Sequence, residues 1–139
     1  MIITKREVMK LAGELTQLPE VIDIVKSDKH FNNMFMEKDP KEYLKRALWY
    51  GYIANHVAYA VNYEEQPVID YEYWGEDEPE KVDINDKSKI IEIKSDLGSL
   101  RYNMVTNNGT IFLQKEYLNL IDNVYQHLNT KYKQKHYIY

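Results

Sequence analysis

The clearest element of the sequence is residues 39–62, DPKEYLKRALWYGYIANHVAYAVN. Asp39 can cap a helix, Pro40 fits its first position, and Glu42 lies near the positive end of the helix dipole. Apolar residues then occupy more than one side of the helix, and several are small enough to let a neighbour approach closely. A helix of this kind belongs in the interior of a domain. We therefore predict a long, buried central helix from Pro40 to about Asn62.

Helices are also predicted on both sides of this element. Apolar residues from Val8 to Leu18 recur at helical spacing, and Pro19 ends that helix and suits the first position of a short second one. An amphipathic stripe from about Lys115 to Lys131 predicts a C-terminal helix within residues 115–133. Residues 1–63 and 115–133 are thus predicted to be helical.

Residues 67–114 predict a small antiparallel β-meander of about three or four strands. Residues 68–74 alternate between aromatic or aliphatic and acidic side chains, as in a strand with one solvated face. Short apolar runs at 90–93, 100–105 and 111–114 predict further strands, and Asn108-Gly109 predicts a tight hairpin turn within 106–110. The predicted fold is a single α+β domain over residues 1–139.

Composition excludes several classes of protein. The chain has 139 residues and no cysteine, which rules out disulfide frameworks, iron–sulfur clusters and thiol catalysis and suits a reducing compartment. The charged start and the lack of an 18-residue apolar run predict neither a signal peptide nor a membrane span. We therefore expect a cytoplasmic protein.

No motif predicts catalysis, a cofactor or a metal site. The five glycines do not have the spacing of a phosphate-binding loop, and no serine lies in a nucleophile elbow. The four histidines are scattered, without the spacing of metal ligands. We expect a protein that is not an enzyme and needs no cofactor or metal.

The strongest functional signal is the distribution of charge. Residues 64–86, which we call the acidic segment, contain one basic residue, Lys81, and ten acidic ones. The acidic residues are Glu64, Glu65, Asp70, Glu72, Glu76, Asp77, Glu78, Glu80, Asp83 and Asp86. The acidic segment thus carries a net charge of −9, whereas the rest of the chain carries +5.

Three aromatic residues, Tyr71, Tyr73 and Trp74, lie within the acidic segment. Tyrosine and tryptophan are preferred anchors of protein interfaces, and together with carboxylates they suit arginine and lysine side chains. We take these three residues and the ten acidic ones as candidate partner-binding residues. The plainer interpretation is a solvated loop that keeps the chain soluble.

The leading hypothesis is a non-enzymatic binding module or inhibitor that docks on a basic, nucleic-acid-handling partner protein, with carboxylates in the places of phosphates. Direct binding to nucleic acid is not expected, because no basic face is indicated. The composition resembles that of small acidic inhibitors carried by phages and mobile elements, including some anti-restriction and anti-CRISPR proteins. This resemblance assigns no functional residues. The immunity protein of a toxin pair would bind a basic partner through an acidic surface in the same way.

Two other classes of function stay open. A pocket for a small ligand between the central helix and the sheet would be lined by Tyr50, Asn55, His56, Tyr59 and Tyr102. Alternatively, the all-round apolar central helix would complete the core of a homo-oligomer, the simplest form being a homodimer.

Overall fold

A computed structural model of the chain describes residues 5–62, 81–106 and 115–133. This part is about 80% helical and contains no β-strand. Its six helices are α1 (Lys5–Leu15), α2 (Pro19–Ser27), α3 (Lys29–Asn33), α4 (Pro40–Asn62), α5 (Lys87–Thr106) and α6 (Lys115–Lys131).

The predicted central helix is confirmed as α4. Asp39 caps its start, since the Asp39 Oδ1 atom accepts a hydrogen bond from the backbone N–H of Lys41 at 2.9 Å. The first turns of α4 are fully buried at Tyr43, Leu44 and Leu48. Four helices, α1, α2, α5 and α6, pack against it. The hydrophobic core of the described residues is therefore built around α4.

The helices predicted at the two ends of the chain are also confirmed. Helix α1 ends at Leu15, and Pro19 is the first residue of α2. Helix α6 covers Lys115–Lys131 and buries one amphipathic stripe, which includes Ile121 and Val124. In each case a proline or a sustained helical period was the signal in the sequence.

The predicted α+β fold is wrong. Residues 90–93 and 100–105, predicted as two strands of the meander 67–114, both lie in α5. The side chains that α5 buries are Ile90, Ile93, Leu97, Leu100 and Met104, spaced by three and four residues. This period places them on one side of a helix that contacts α1, α4 and α6. Burial along that whole stripe outweighs the β-propensity of the short isoleucine-rich run.

The other predicted β-elements lie almost entirely outside the described residues. The strands at 68–74 and 111–114 and residues 107–110 of the hairpin lie outside the described residues, while Thr106 is the last residue of α5.

A small residue of α4 lets α5 approach closely. This agrees with the prediction that small residues of the central helix allow close contact with a neighbour. A Cβ atom placed on Gly51 of α4 would lie 2.7 Å from the Sδ atom of Met104 on α5. Gly98 of α5 plays the corresponding part against α6, where a Cβ atom would lie 2.8 Å from Cε2 of Tyr125. At both helix crossings, a side chain of the neighbouring helix occupies the place that a Cβ atom would take.

Candidate functional site

The structure describes two of the thirteen candidate binding residues, Asp83 and Asp86. The other eleven lie outside the described residues: Glu64, Glu65, Asp70, Tyr71, Glu72, Tyr73, Trp74, Glu76, Asp77, Glu78 and Glu80. Helix α4 ends at Asn62, and the structure describes the acidic segment from Lys81 onward. The described part of the candidate site is therefore its C-terminal end.

That end is anchored to the core by Val82. The Val82 side chain is buried, at 7% exposure. The backbone N–H of Val82 donates a hydrogen bond to the side-chain oxygen of Gln17 at 2.6 Å. Gln17 lies in the turn after α1, where its own N–H donates to the carbonyl of Glu14 at 3.1 Å. The last residues of the acidic segment are thus attached to the C-terminal end of α1.

Asp83 and Asp86 turn the chain and start α5. The Asp83 Oδ1 atom accepts a hydrogen bond from the N–H of Asn85 at 2.9 Å, which forms a local turn. The Asp86 Oδ1 atom accepts from the N–H of Lys89 at 3.2 Å, as an N-cap does. Both aspartates are solvent-exposed. Each therefore has a structural role and still presents negative charge to solvent.

Two further exposed carboxylates, Glu92 and Asp96, follow along α5. They are four residues apart and so lie on the same side of the helix. Partial desolvation, followed by the nearby charges of Glu92 and Glu14, raises the pKa of Asp96. We refer to Asp83, Asp86, Glu92 and Asp96 as the α5 carboxylates.

Glu92 and Asp96 are not among the residues predicted from the sequence. Glu92 lies in a run predicted as a strand, and the acidic segment ends at Asp86. The signal that would have found them is their spacing of four residues, which has meaning only once the region is recognised as a helix.

A buried ion pair joins α1 to α5 close to these residues. Glu14 is buried, at 2% exposure, and its carboxylate lies 2.9 Å from the ammonium nitrogen of Lys89. Lys89 also lies 3.5 Å from the exposed carboxylate of Glu92. The hydrogen bond that the Lys89 ammonium donates to Glu14 raises the pKa of Lys89 and outweighs desolvation, which lowers it. The contacts of Glu14 and Gln17 thus hold both ends of the stretch from Val82 to Lys89.

A second polar cluster lies between α2 and α6. The carboxylate of Glu20 is 2.8 Å from His127 Nε2, 2.8 Å from Lys131 Nζ and 3.0 Å from the hydroxyl of Tyr132. Burial by itself would raise the pKa of Glu20, but the hydrogen bonds from Lys131, His127 and Tyr132 bring it below its ordinary value. All three groups bind a carboxylate of the chain itself, so the cluster is a structural contact that joins α2 to the C-terminal end of α6.

The predicted small-ligand pocket gains no support from the described residues. Tyr50 stacks on Tyr117 of α6, with ring centroids 5.1 Å apart, whereas Tyr102 is 63% exposed on α5. The side chains of Asn55, His56 and Tyr59 lie outside the described part of the structure.

The described residues contain neither a metal site nor a helix that could cross a membrane. No group of three or more His, Cys, Asp or Glu side chains within 5–62, 81–106 and 115–133 could hold a metal ion. None of the described helices combines the length and the apolar character that crossing a membrane requires.

Comparison of the chain with protein-family models, with curated proteins and with solved structures finds no match. Function is therefore inferred from the residues of the chain itself.

Proposed function

We propose that the chain is a non-enzymatic protein-binding module whose acidic segment docks on a basic, nucleic-acid-handling partner protein. The observation that carries this proposal is the segregation of charge. Residues 64–86 hold ten acidic residues and one basic residue, whereas the rest of the chain has a net charge of +5. Carboxylates closer together than about 10 Å, one Debye length, add their fields, so a segment this rich in acidic residues attracts a basic surface.

The contacts at the described end of the acidic segment support this proposal. All four α5 carboxylates are exposed, and Asp83 and Asp86 present their charge to solvent although they also shape the chain, whereas Glu92 and Asp96 lie on α5 among three lysines.

The type of partner follows from the chemistry of the segment. A surface that binds nucleic acid presents arginine and lysine to phosphates, and a run of carboxylates offers the same charge to the same side chains. Tyr71, Tyr73 and Trp74 add large rigid groups that can stack on arginine. The proposed consequence is inhibition, because a partner covered in this way has lost its site for nucleic acid. Inhibitors of this kind suit a phage or mobile element that blocks a host defence.

The test is a salt-resolved pull-down with charge variants that are matched in size. Tagged wild-type chain, Glu76→Lys/Glu78→Lys and the control Asp23→Lys/Glu116→Lys are each incubated with bacterial lysate at about 0.05 M and about 0.3 M salt. Both variants change the net charge equally, and the control residues are exposed on α2 and α6. Captured proteins are identified, purified and titrated with the chain in the presence of duplex DNA.

The expected result is a nucleic-acid-binding protein that the wild type and the control capture at the lower salt and the Glu76→Lys/Glu78→Lys variant does not. Duplex DNA should then displace the chain from the purified partner. The proposal is wrong if both variants bind the purified partner equally, or if DNA and the chain bind it simultaneously. A light-scattering mass of a stable oligomer at both salts, with no partner captured, would favour the assembly-subunit hypothesis instead.

A further inference from the structure

We infer that Met36 is a site of reversible oxidation, at which a peroxide converts the thioether to a sulfoxide without disturbing the fold. Met36 lies in the connection between α3 and α4, and its side chain is 90% exposed. The inference is independent of the proposed function, because this connection lies outside the acidic segment. It concerns the chemistry of one side chain and requires no partner protein.

The composition makes methionine the residue of this chain that a peroxide oxidises most readily. The chain contains five methionines and no cysteine. Where a protein has a reactive thiolate, that group takes up the oxidant, and where it has none the polarizable thioether sulfur of methionine reacts instead. The exposure of each sulfur then decides which methionine is oxidised first.

The structure separates the four described methionines by exposure. Met9 and Met104 are buried in the core, and the sulfur of Met104 lies against Gly51 of α4. Met34 is half-buried and packs on the edge of the core. Within the part of the chain that the structure describes, Met36 is thus the methionine whose sulfur a dissolved peroxide reaches without any opening of the fold.

The connection between α3 and α4 keeps its shape without the side chain of Met36. At its start, the Met34 N–H donates a hydrogen bond to the Phe31 carbonyl at 3.2 Å. At its end, the Asp39 N–H donates to the Glu37 Oε1 atom at 3.0 Å. Neither bond uses the Met36 thioether, so a sulfoxide at this position removes no core packing. A sulfoxide at Met104 would instead place a polar oxygen in the apolar core.

The reaction needs a peroxide as its only co-reactant. The sulfur of Met36 attacks one oxygen of hydrogen peroxide, the O–O bond breaks, and the products are the sulfoxide and one water. Sulfur gives up an electron pair, and the peroxide is reduced. Methionine sulfoxide reductases, one for each epimer, restore the thioether, while a pair of thiols becomes a disulfide and the oxygen leaves as water.

The experiment follows the oxidation of wild type, Met36→Leu and Met34→Leu by hydrogen peroxide. Met34 and Met36 fall in the same tryptic peptide, residues 30–38, so tandem mass spectrometry is used to assign each added oxygen to one residue. Circular dichroism follows the helix content, and hydrophobic-interaction chromatography follows the polarity of the surface. Met34→Leu is the matched control, because it removes the neighbouring, half-buried thioether.

In the wild type we expect Met36 to be oxidised at least about tenfold faster than Met9 and Met104, whose sulfurs are reached only when the core opens. Protein oxidised at Met36 should keep its helices and elute earlier from the hydrophobic column, because an exposed apolar side chain has become polar. The two reductases with a thiol should restore both mass and retention. Met36→Leu should lack the fast oxidation of peptide 30–38 and the change in retention, whereas Met34→Leu should keep both.

Oxidation of Met36 no faster than that of Met104 would overturn the inference, because exposure would then not decide the site. Equally fast oxidation of peptide 30–38 in Met36→Leu and in wild type would show that Met34 is the reactive residue. Loss of helix content in oxidised wild type, but not in Met36→Leu treated in the same way, would refute tolerance by the fold. A sulfoxide that the reductases leave unchanged in the folded protein would refute reversibility.

Discussion

Replacing Lys89 with methionine should destabilise the protein by about 3 kcal/mol. Lys89 pairs with Glu14 at 2.9 Å, and Glu14 is only 2% exposed. At an effective dielectric constant of about 20, the attraction across this distance is about 6 kcal/mol before desolvation is subtracted. Breaking a buried ion pair from one side generally costs about 3–5 kcal/mol, because the remaining charge stays buried. We expect the lower end of that range, since the Lys89 side chain is 27% exposed and water can therefore reach the Glu14 carboxylate once the ammonium group is gone.

Two further variants separate the ion pair from other effects of the substitution. Lys87→Met makes the same change at an exposed position of α5 and should shift the free energy of unfolding by no more than about 0.5 kcal/mol. The double variant Glu14→Leu/Lys89→Met removes both charges. Its free energy of unfolding should be within about 1 kcal/mol of the wild-type value, because an apolar pair of similar volume leaves no unpaired charge buried.

The assay is urea unfolding followed by circular dichroism, with the free energy obtained by linear extrapolation. The slope with urea should be the same for all four proteins, which would show that unfolding exposes the same surface. The reasoning is refuted if Lys89→Met is as stable as Lys87→Met. It is also refuted if the double variant is no more stable than Lys89→Met, because the cost would then not come from the uncompensated carboxylate.

Three smaller predictions can be tested by the same unfolding assay. Gly98→Ala should lower the free energy of unfolding by about 1 kcal/mol, because the overlap of its Cβ atom with Tyr125 at 2.8 Å outweighs the higher helix propensity of alanine. A variant more stable than the wild type would contradict this. Asp86→Ala should also lose about 1 kcal/mol, since it removes the acceptor of the Lys89 N–H, whereas Asp86→Ser should keep most of the wild-type stability. The lowered pKa of Glu20 means that its contribution to stability is present above pH 4.5 and is lost as the pH falls through its folded-state pKa. The difference in free energy of unfolding between wild type and Glu20→Gln should therefore narrow on acidification. A difference that widens would show that folding raises the pKa of Glu20.

The helices that local chemistry delimits could be predicted from the sequence. Asp39 and Pro40 specify the start of α4 through the backbone of their own turn, and Pro19 does the same for α2. The amphipathic period of α6 extends over 17 residues, long enough to exclude a strand. These signals need no information about distant parts of the chain, because caps, prolines and a sustained period act within a few residues.

The local signals of α5 pointed to the wrong element. Ile90, Ile91 and Ile93 favour a strand by β-propensity, and Gly98 interrupts the helical pattern. The same residues form a helix because α1, α4 and α6 together bury a stripe of period three and four. An apolar run this short is compatible with either structure, so the surrounding core decides which one forms.

The candidate site could likewise be predicted only in part from the sequence. Its charge was evident from the sequence, because ten carboxylates between Glu64 and Asp86 are a property of composition. The extension to Glu92 and Asp96 depends on a helix that the sequence did not predict. The hydrogen bond from Val82 to Gln17 joins residues 65 positions apart, and the ion pair of Lys89 with Glu14 depends on the same approach of α1 to α5. The sequence alone thus determined the charge and the helices with local start and stop signals. Tertiary structure decided the identity of α5 and the anchoring of the acidic segment, because both depend on which distant surfaces the core brings together.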